Sequence, residues 1–379
     1  MINILFVYAG QFHKGGTEQV MLNIFKYIDK SKFKIDFLLL SKDELNDTSR
    51  YLKKQGARIF CVCARRENWK KHRIELRKFF ERYADDYDIV HTHIDAIAAE
   101  ALREARRSGI KIRIAHSHNS AQLQSPKNLK DILHRILIEI ERLETRCYAT
   151  AYIGCSKAAA KWLFGNQFLS KPHFILRNGI DTNKFRFSES LRSKVRKELG
   201  IDGKKVIGHV GAFNFAKNHE FLIKVFNELH RIDIDTVLIL VGEGENKSHI
   251  VDLMNSLGLS GSVLFLGNRD DVNELLMAMD VFVFPSKHEG LPLALVEAQA
   301  TGLPCVVSNN VSLEADMQIN KMCFLDISKQ EVEWAAKIMD YLDNDDRNNI
   351  INCIKRKGYD IKKDIIELEV FYKFLNGLE

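Results

Sequence analysis

Short apolar runs alternate with longer segments in which apolar residues recur at helical spacing along most of the chain. "NILFVYA", "KIDFLLL", "ARIFCVC", "YDIVHTH", "IKIRIAH" and "TAYIGCS" form a first series. After a pause at "RNGIDTNKFRFSESLRSKV", a second series follows: "KKVIGHVGAF", "DTVLILVGEG", "SVLFLGN", "DVFVFPS" and "LPCVVSN". Runs that are apolar on both faces predict parallel strands covered by helices on each side. Two such series predict an α/β protein of two doubly wound, Rossmann-like domains. They join near residues 180–190, where Asn178-Gly179 signals a turn. From about residue 330 the pattern is helical only, ending in "DIIELEVFYKFLNGLE".

Composition adds boundaries to this picture. With 379 residues, 46% of them apolar, the chain can fill the cores of two or three domains. The opening "MINILFVYAG" lacks a basic start and a small-residue cleavage site, so a buried strand is expected there and no signal peptide. No uninterrupted apolar run reaches the ~18 residues of a membrane span. Seven scattered cysteines, an odd number, fit reduced thiols in a cytoplasm, and Cys61-x-Cys63 has no zinc-site spacing.

The net charge of +6 conceals an asymmetry. Residues 1–183 hold 32 Lys and Arg against 20 Asp and Glu, whereas the remainder holds 24 against 30. The first half is therefore suited to an anionic partner. Its stretch 65–83, "RRENWKKHRIELRKFFERY", mixes cations with Trp69, Phe79 and Phe80, and is expected either to rest on anionic lipid or to be an ordinary outer helix. No nucleic-acid module accompanies the basic residues, so nucleic acid is not expected as a partner.

Ligands of open parallel sheets bind beyond the carboxyl ends of the strands, which directs attention to the residues after each run. Gly15 and Gly16 precede Thr17 at a helix start, where backbone amides can face an anion; a plain strand-to-helix turn capped by Thr17 accounts for them equally. His91 and His93 end one strand, and His116 and His118 another. Alternate residues share a face, but carboxylate or thiolate company is lacking, so no metal is expected. Lys217 lies just before a helix, as an anion-binding lysine would. Gly267, Asn268 and Arg269 follow another strand and could frame a base or ribose, or form a surface loop.

The stretch "HEGLPLALVEAQATG" places Glu289 in a loop and Glu297 inside an apolar helix that starts after Pro292. A carboxylate can accept hydrogen bonds from two neighbouring hydroxyls, which suits a sugar or ribose diol. Free amides at Leu291 and Leu293 suit a diphosphate between the two acids. Together these residues describe a nucleotide-sugar site.

The segments "GHVGAFNFAKNHEFLIKVFNEL", "LVGEGE", "LFLGNRDDVNELLMAMDVFVFPSKHEGLPLALVEAQATGLPCVVS" and "RNGIDTNKF" resemble the retaining GT-B-fold glycosyltransferases of family 4, in their capsular and exopolysaccharide branch. The resemblance covers nearly the whole chain. It implies two Rossmann-like domains facing a cleft: an acceptor-side domain at 1–183, a donor domain at 184–357, and a last helix, 358–379, returning to the first. The activity implied is transfer of a hexose or N-acetylhexosamine from a UDP-sugar to a glycan or lipid-linked saccharide, in the cytoplasm or peripherally on the inner face of the cell membrane.

Carried over by position, Glu297 binds ribose hydroxyls and Glu289 the hydroxyls of the transferred sugar. Lys217 and the backbone of Gly290, Leu291, Pro292 and Leu293 meet the diphosphate, with Gly16 approaching from the other domain. Asn268 and Arg269 complete the donor set, His118 contacts the donor sugar, and His116 and Asn119 are further sugar or acceptor contacts. No metal is implied. One position departs from the pattern: Ala212 stands where the family carries a phosphate-binding arginine, with Arg269 and Lys14 as candidate substitutes. That departure keeps a non-catalytic nucleotide-sugar-binding subunit open, and the same fold also serves nucleotide-sugar epimerases.

Overall fold

A computed structural model describes residues 1–10, 12, 16–41, 46–118, 128–287, 289, 292–319, 321–342, 347 and 350–378. Two units make up the chain: Met1–Gly179 together with Ile361–Glu379, and Ile180–Asp360.

In the first unit the strands are β1 (Ile2–Tyr8), β2 (Phe33–Leu39), β3 (Ile59–Cys61), β4 (Ile89–Thr92), β5 (Ile112–Ser117), β6 (Ala151–Gly154) and β7 (His173–Ile175). Among the described residues they form one parallel sheet in the order β3-β2-β1-β4-β5-β6-β7. The order reverses between β1 and β4, the kind of place where open α/β sheets bind ligands. Alternation explains how each strand is apolar throughout. Ile4 and Phe6 enter one core with Phe37 and Ile89, while Leu5 and Val7 enter the core on the opposite face with Leu38 and Val90. Each such fully buried side chain contributes roughly 1.5–3 kcal/mol.

The helix Ile361–Leu375 completes the first of these cores, burying Ile361, Ile365, Leu368, Phe371 and Tyr372 beneath the sheet. Gly179 makes the return possible, because a Cβ there would stand 2.8 Å from the backbone nitrogen of Ile361.

In the second unit β8 (Lys205–Val210), β9 (Thr236–Val241), β10 (Val263–Gly267), β11 (Val281–Phe284), β12 (Cys305–Ser308) and β13 (Met322–Leu325) pair in the parallel order β10-β9-β8-β11-β12-β13. The same alternation splits β11: Val281 and Val283 face one core, Phe282 and Phe284 the other. Here the reversal lies between β8 and β11, and Lys217 and Glu289 follow those two strands. The sequence pattern did not single out β7 and β13, which are short outer strands of three and four residues.

One expectation changes with the structure. Residues Trp69–Tyr83 form a helix whose buried face contains His72, Leu76, Phe79 and Phe80. Phe79 and Phe80 belong to the core of the first unit, so they do not face a lipid surface; Trp69 and Ile74 alone of that helix are exposed large apolar residues.

Candidate functional site

The second unit gathers its candidate residues on two loops. After β8, Asn214 caps a short 3-10 turn by accepting from the backbone N–H of Lys217 at 3.1 Å. Asn218 then adopts a left-handed conformation and opens the helix His219–Ile232. The loop after β11 is stitched to this one. Asn218 Nδ2 donates to the carbonyl of Pro285 at 3.1 Å, and the N–H of Lys287 donates to the carbonyl of Ala216 at 2.8 Å. Across that seam the Lys217 ammonium donates to Glu289 Oε1 at 2.6 Å, with both side chains under one-fifth exposed.

The loop after β8 is also held against the loop after β9, which lacks Cβ atoms where the two meet. A Cβ on Gly242, whose φ is +139°, would stand 2.2 Å from the Gly211 carbonyl oxygen, and one on Gly244 would stand 2.5 Å from that of Phe213. Gly211 in turn lies under the aliphatic stem of Lys217, which a Cβ would meet at 3.2 Å. The Lys217 ammonium stands 4.7 Å above the ring of Phe284, which adds a cation–π contact.

Glu297 projects from the helix Leu293–Ala300, which starts directly after Pro292 and has an apolar surround. Burial pushes its carboxyl up to about 7. The first amides of that helix have no intrahelical acceptor, so Leu293 and Ala294 present donors at its start. Gly290 and Leu291 lie outside the described residues, as do Gly15, Lys14 and Asn119. Gly16 is the first residue of the helix Gly16–Tyr27, with open space where a Cβ would be.

Asn268 and Arg269 are exposed on the loop after β10. The Arg269 guanidinium donates to both carboxylate oxygens of Asp271, at 2.7 and 2.6 Å, so its fork is already occupied by a neighbour. Ala212 is exposed.

Three residues of this unit were not singled out from the sequence. His209 is buried at the end of β8, its Nδ1 2.8 Å from the Val283 carbonyl, and its ring stacks on Phe284. His219 is buried beside it, edge-on to His209 and stacked on Phe213 at 4.0 Å. Burial lowers both imidazoles, His219 to about 4. Lys287 stands 3.8 Å over the Phe215 ring, on the loop that carries Glu289. Position beyond a strand end was the available signal for Lys287.

The first unit brings all four strand-end histidines together. The register of β4 on β5 sets His91 beside Ile114, which places His93 beside His116. His91 Nε2 lies 3.2 Å from His116 Nδ1, and His93 Nδ1 lies 3.0 Å from His118 Nε2. His91 Nδ1 also contacts the Tyr372 hydroxyl at 2.7 Å. Desolvation drives all four imidazoles toward the neutral form, His118 to about 3. The backbone N–H of His118 donates to Asp95 Oδ1 at 2.7 Å, and Asp95 holds a φ of +47°.

Known proteins resemble the chain along its whole length. Residues 192–357 match the family described as Glycosyl transferases group 1, and residues 14–184 the family described as Glycosyltransferase Family 4. A putative glycosyltransferase, EpsF, of Bacillus subtilis is 30% identical over 366 residues, covering 96% of this chain and 94% of its own. The Escherichia coli enzyme named UDP-Gal:alpha-D-GlcNAc-diphosphoundecaprenol alpha-1,3-galactosyltransferase is 27% identical, covering 94% and 93%. Among solved structures, HepE of Anabaena, in complex with UDP and glucose, superposes with a TM-score of 0.78 at 18% identity, covering 98% of this chain and 100% of its own. Both units thus share the GT-B fold.

Proposed function

Because the chain belongs to the group 1 and family 4 glycosyltransferases, we propose that it moves a hexose or N-acetylhexosamine from a UDP-sugar to a surface-polysaccharide glycan, with retention at the anomeric carbon. The observation that carries this reading is the Lys217–Glu289 ion pair, set between the β8 loop and the helix that bears Glu297. Donor binding would exchange partners: Lys217 and the first amides of the helix Leu293–Ala300 turn to the diphosphate, which frees Glu289 for the sugar hydroxyls and leaves Glu297 for the ribose. A lysine and a helix start then carry the charge of the leaving group without a metal ion there.

In the reaction, the bond from the anomeric carbon to the phosphate oxygen breaks and a bond to the acceptor oxygen forms on the same face. The acceptor's proton passes to the leaving phosphate. His118 is assigned to the transferred sugar; with Nε2 engaged by His93, its Nδ1 is the ring nitrogen left to meet a hydroxyl. Related proteins support the donor class: HepE is solved with UDP and glucose, and the E. coli relative is named for a UDP-galactose donor.

The acceptor is proposed to be lipid-linked. The helix Leu129–Tyr148 exposes Ile132, Leu133, Ile136, Leu137, Ile140 and Leu143, each with another member of the set three or four positions away, which makes one apolar stripe. No helix among the described residues is long and apolar enough to cross a membrane, so contact with lipid would be peripheral. The E. coli relative is named for a diphosphoundecaprenol-linked acceptor.

Incubating the purified chain with a panel of UDP-sugars and following UDP release tests the reading. Slow hydrolysis of one donor is expected, accelerated by a lipid-linked acceptor, with the product's anomeric configuration read by nuclear magnetic resonance. Release of an isomerised sugar nucleotide without acceptor would point instead to an epimerase.

A further inference from the structure

One ring nitrogen from each of His91, His93 and His116 lies within 4.8 Å of the other two, and all three residues are buried. We propose that these three histidines hold one divalent transition-metal ion of the zinc type. The site lies wholly in the first unit and is independent of the metal-free handling of the donor diphosphate proposed for the second.

Spacing is the first argument. Nitrogens bound at 2.0–2.1 Å to a tetrahedral zinc stand about 3.3 Å apart. His91 Nε2 and His116 Nδ1 are 3.2 Å apart. An ion can therefore replace the proton those two atoms share, with little movement of either ring.

Outer contacts are the second. Metal-bound histidines characteristically engage their other ring nitrogen, which fixes the tautomer and the ring plane. The Tyr372 hydroxyl does this for His91 Nδ1 at 2.7 Å, and His118 does it for His93 Nδ1 at 3.0 Å. His93 Nε2, its ligand nitrogen, and His116 Nε2, its outer nitrogen, are left without a hydrogen-bond partner among the described residues. A buried polar atom so placed is costly unless something satisfies it, and a metal ion does so for His93.

Preorganisation is the third. His91 and His116 sit on two adjacent, hydrogen-bonded strands, and His93 directly follows the first of them. Three neutral ligands leave the fourth position to a water or a small anion, the open arrangement of zinc sites that are more than structural. Through His93 the ion would also fix the ring of His118.

The test begins with the full chain stripped by a chelator, dialysed against zinc and analysed for bound metal by plasma mass spectrometry. About one zinc per chain is expected, together with a nitrogen-ligated visible spectrum after cobalt substitution. His91→Gln/His93→Gln is expected to lose the bound metal with its circular dichroism spectrum retained. Tyr372→Phe, which keeps all three ligands, should weaken zinc affinity about 10–100-fold. Wild-type chain without stoichiometric metal, or a double variant that binds as much as wild type, overturns the proposal. Should the double variant fail to fold, the cobalt spectrum of the wild type decides: a spectrum of free aqueous cobalt leaves the four histidines as a hydrogen-bonded cluster and nothing more.

Discussion

The ammonium of Lys217 and the carboxylate of Glu289, 72 positions apart in sequence, meet at 2.6 Å where the loop after β8 abuts the loop after β11. Their mutual dependence is measurable. Lys217→Ala should lower the rate of sugar transfer by about 100-fold or more, as loss of a charge aimed at a leaving group does. It should also destabilise the second unit by about 1–3 kcal/mol, because Glu289 is left without its cation. A double-mutant cycle with Glu289→Gln, read by chemical denaturation, should return a positive coupling energy. Full transfer activity in either single variant would remove this pair from the site.

Glu297 supplies a pH dependence with a definite sign. Its carboxyl titrates at about 7 in the folded chain against 4.5 for the ordinary group. The folded state therefore binds the proton more tightly, and this residue's contribution to stability is fully present below pH 4.5 and is lost as pH rises to 7. Donor binding should run the other way, since the ionised carboxylate is the better acceptor for ribose hydroxyls. Calorimetric affinity for UDP should rise between pH 6 and 8, about tenfold per unit at most, and Glu297→Gln should flatten that rise.

His209 and His219 act in the opposite sense. Burial lowers both, His219 to about 4 from an ordinary 6.5. As pH falls below 6.5 the unfolded chain takes up protons that the folded unit refuses, so stability drops, for His219 by about 3 kcal/mol by pH 4. Hydrogen exchange of the β8 and β11 amides should accelerate over that interval. His219→Phe, which retains a ring against Phe213, should reduce the acceleration.

Ala212 stands where a guanidinium would grip phosphate at two points. Ala212→Arg should raise kcat/KM for the donor about tenfold or more. An unchanged kcat/KM would mean that a cation already present, with Lys287 on the Glu289 loop as the candidate, performs that task.

For the apolar stripe of the helix Leu129–Tyr148, Ile136→Glu with Ile140→Glu should abolish co-sedimentation with vesicles of mixed neutral and anionic lipid while leaving the circular dichroism spectrum unchanged. Both positions are about half exposed, so the charges burden no core. Undiminished sedimentation would place the lipid contact elsewhere.

The sheets were legible because a parallel strand buried on both faces is apolar along its length, and short β-branched runs such as "TVLILV" suit that place. Short outer strands escape that logic, which is why β13, whose residues are all partly exposed, carried no signal. Lys217, Glu289 and Glu297 could be nominated from strand ends and helix starts. Their relations could not, since a 2.6 Å contact across 72 residues depends on how the loops after β8 and β11 meet, a seam fixed by the Asn218–Pro285 and Lys287–Ala216 hydrogen bonds. The histidines show the same limit. Alternation placed each pair on a face, but only the register of β4 against β5 could bring four rings together, and only the returning helix could set Tyr372 against His91.

That returning helix also fixes an order of events during synthesis. The second unit is one unbroken stretch, Ile180–Asp360, and can close on itself as soon as it leaves the ribosome. The first unit cannot, because the side chains that seal one face of its sheet come from the helix Ile361–Leu375, which follows the whole of the second unit. Residues 1–179 therefore emerge before the second unit and are finished after it. Until that helix emerges, an apolar surface centred on Phe33, Phe37 and His91 waits uncovered, the stretch of the chain's life in which it most needs protection from other hydrophobic surfaces.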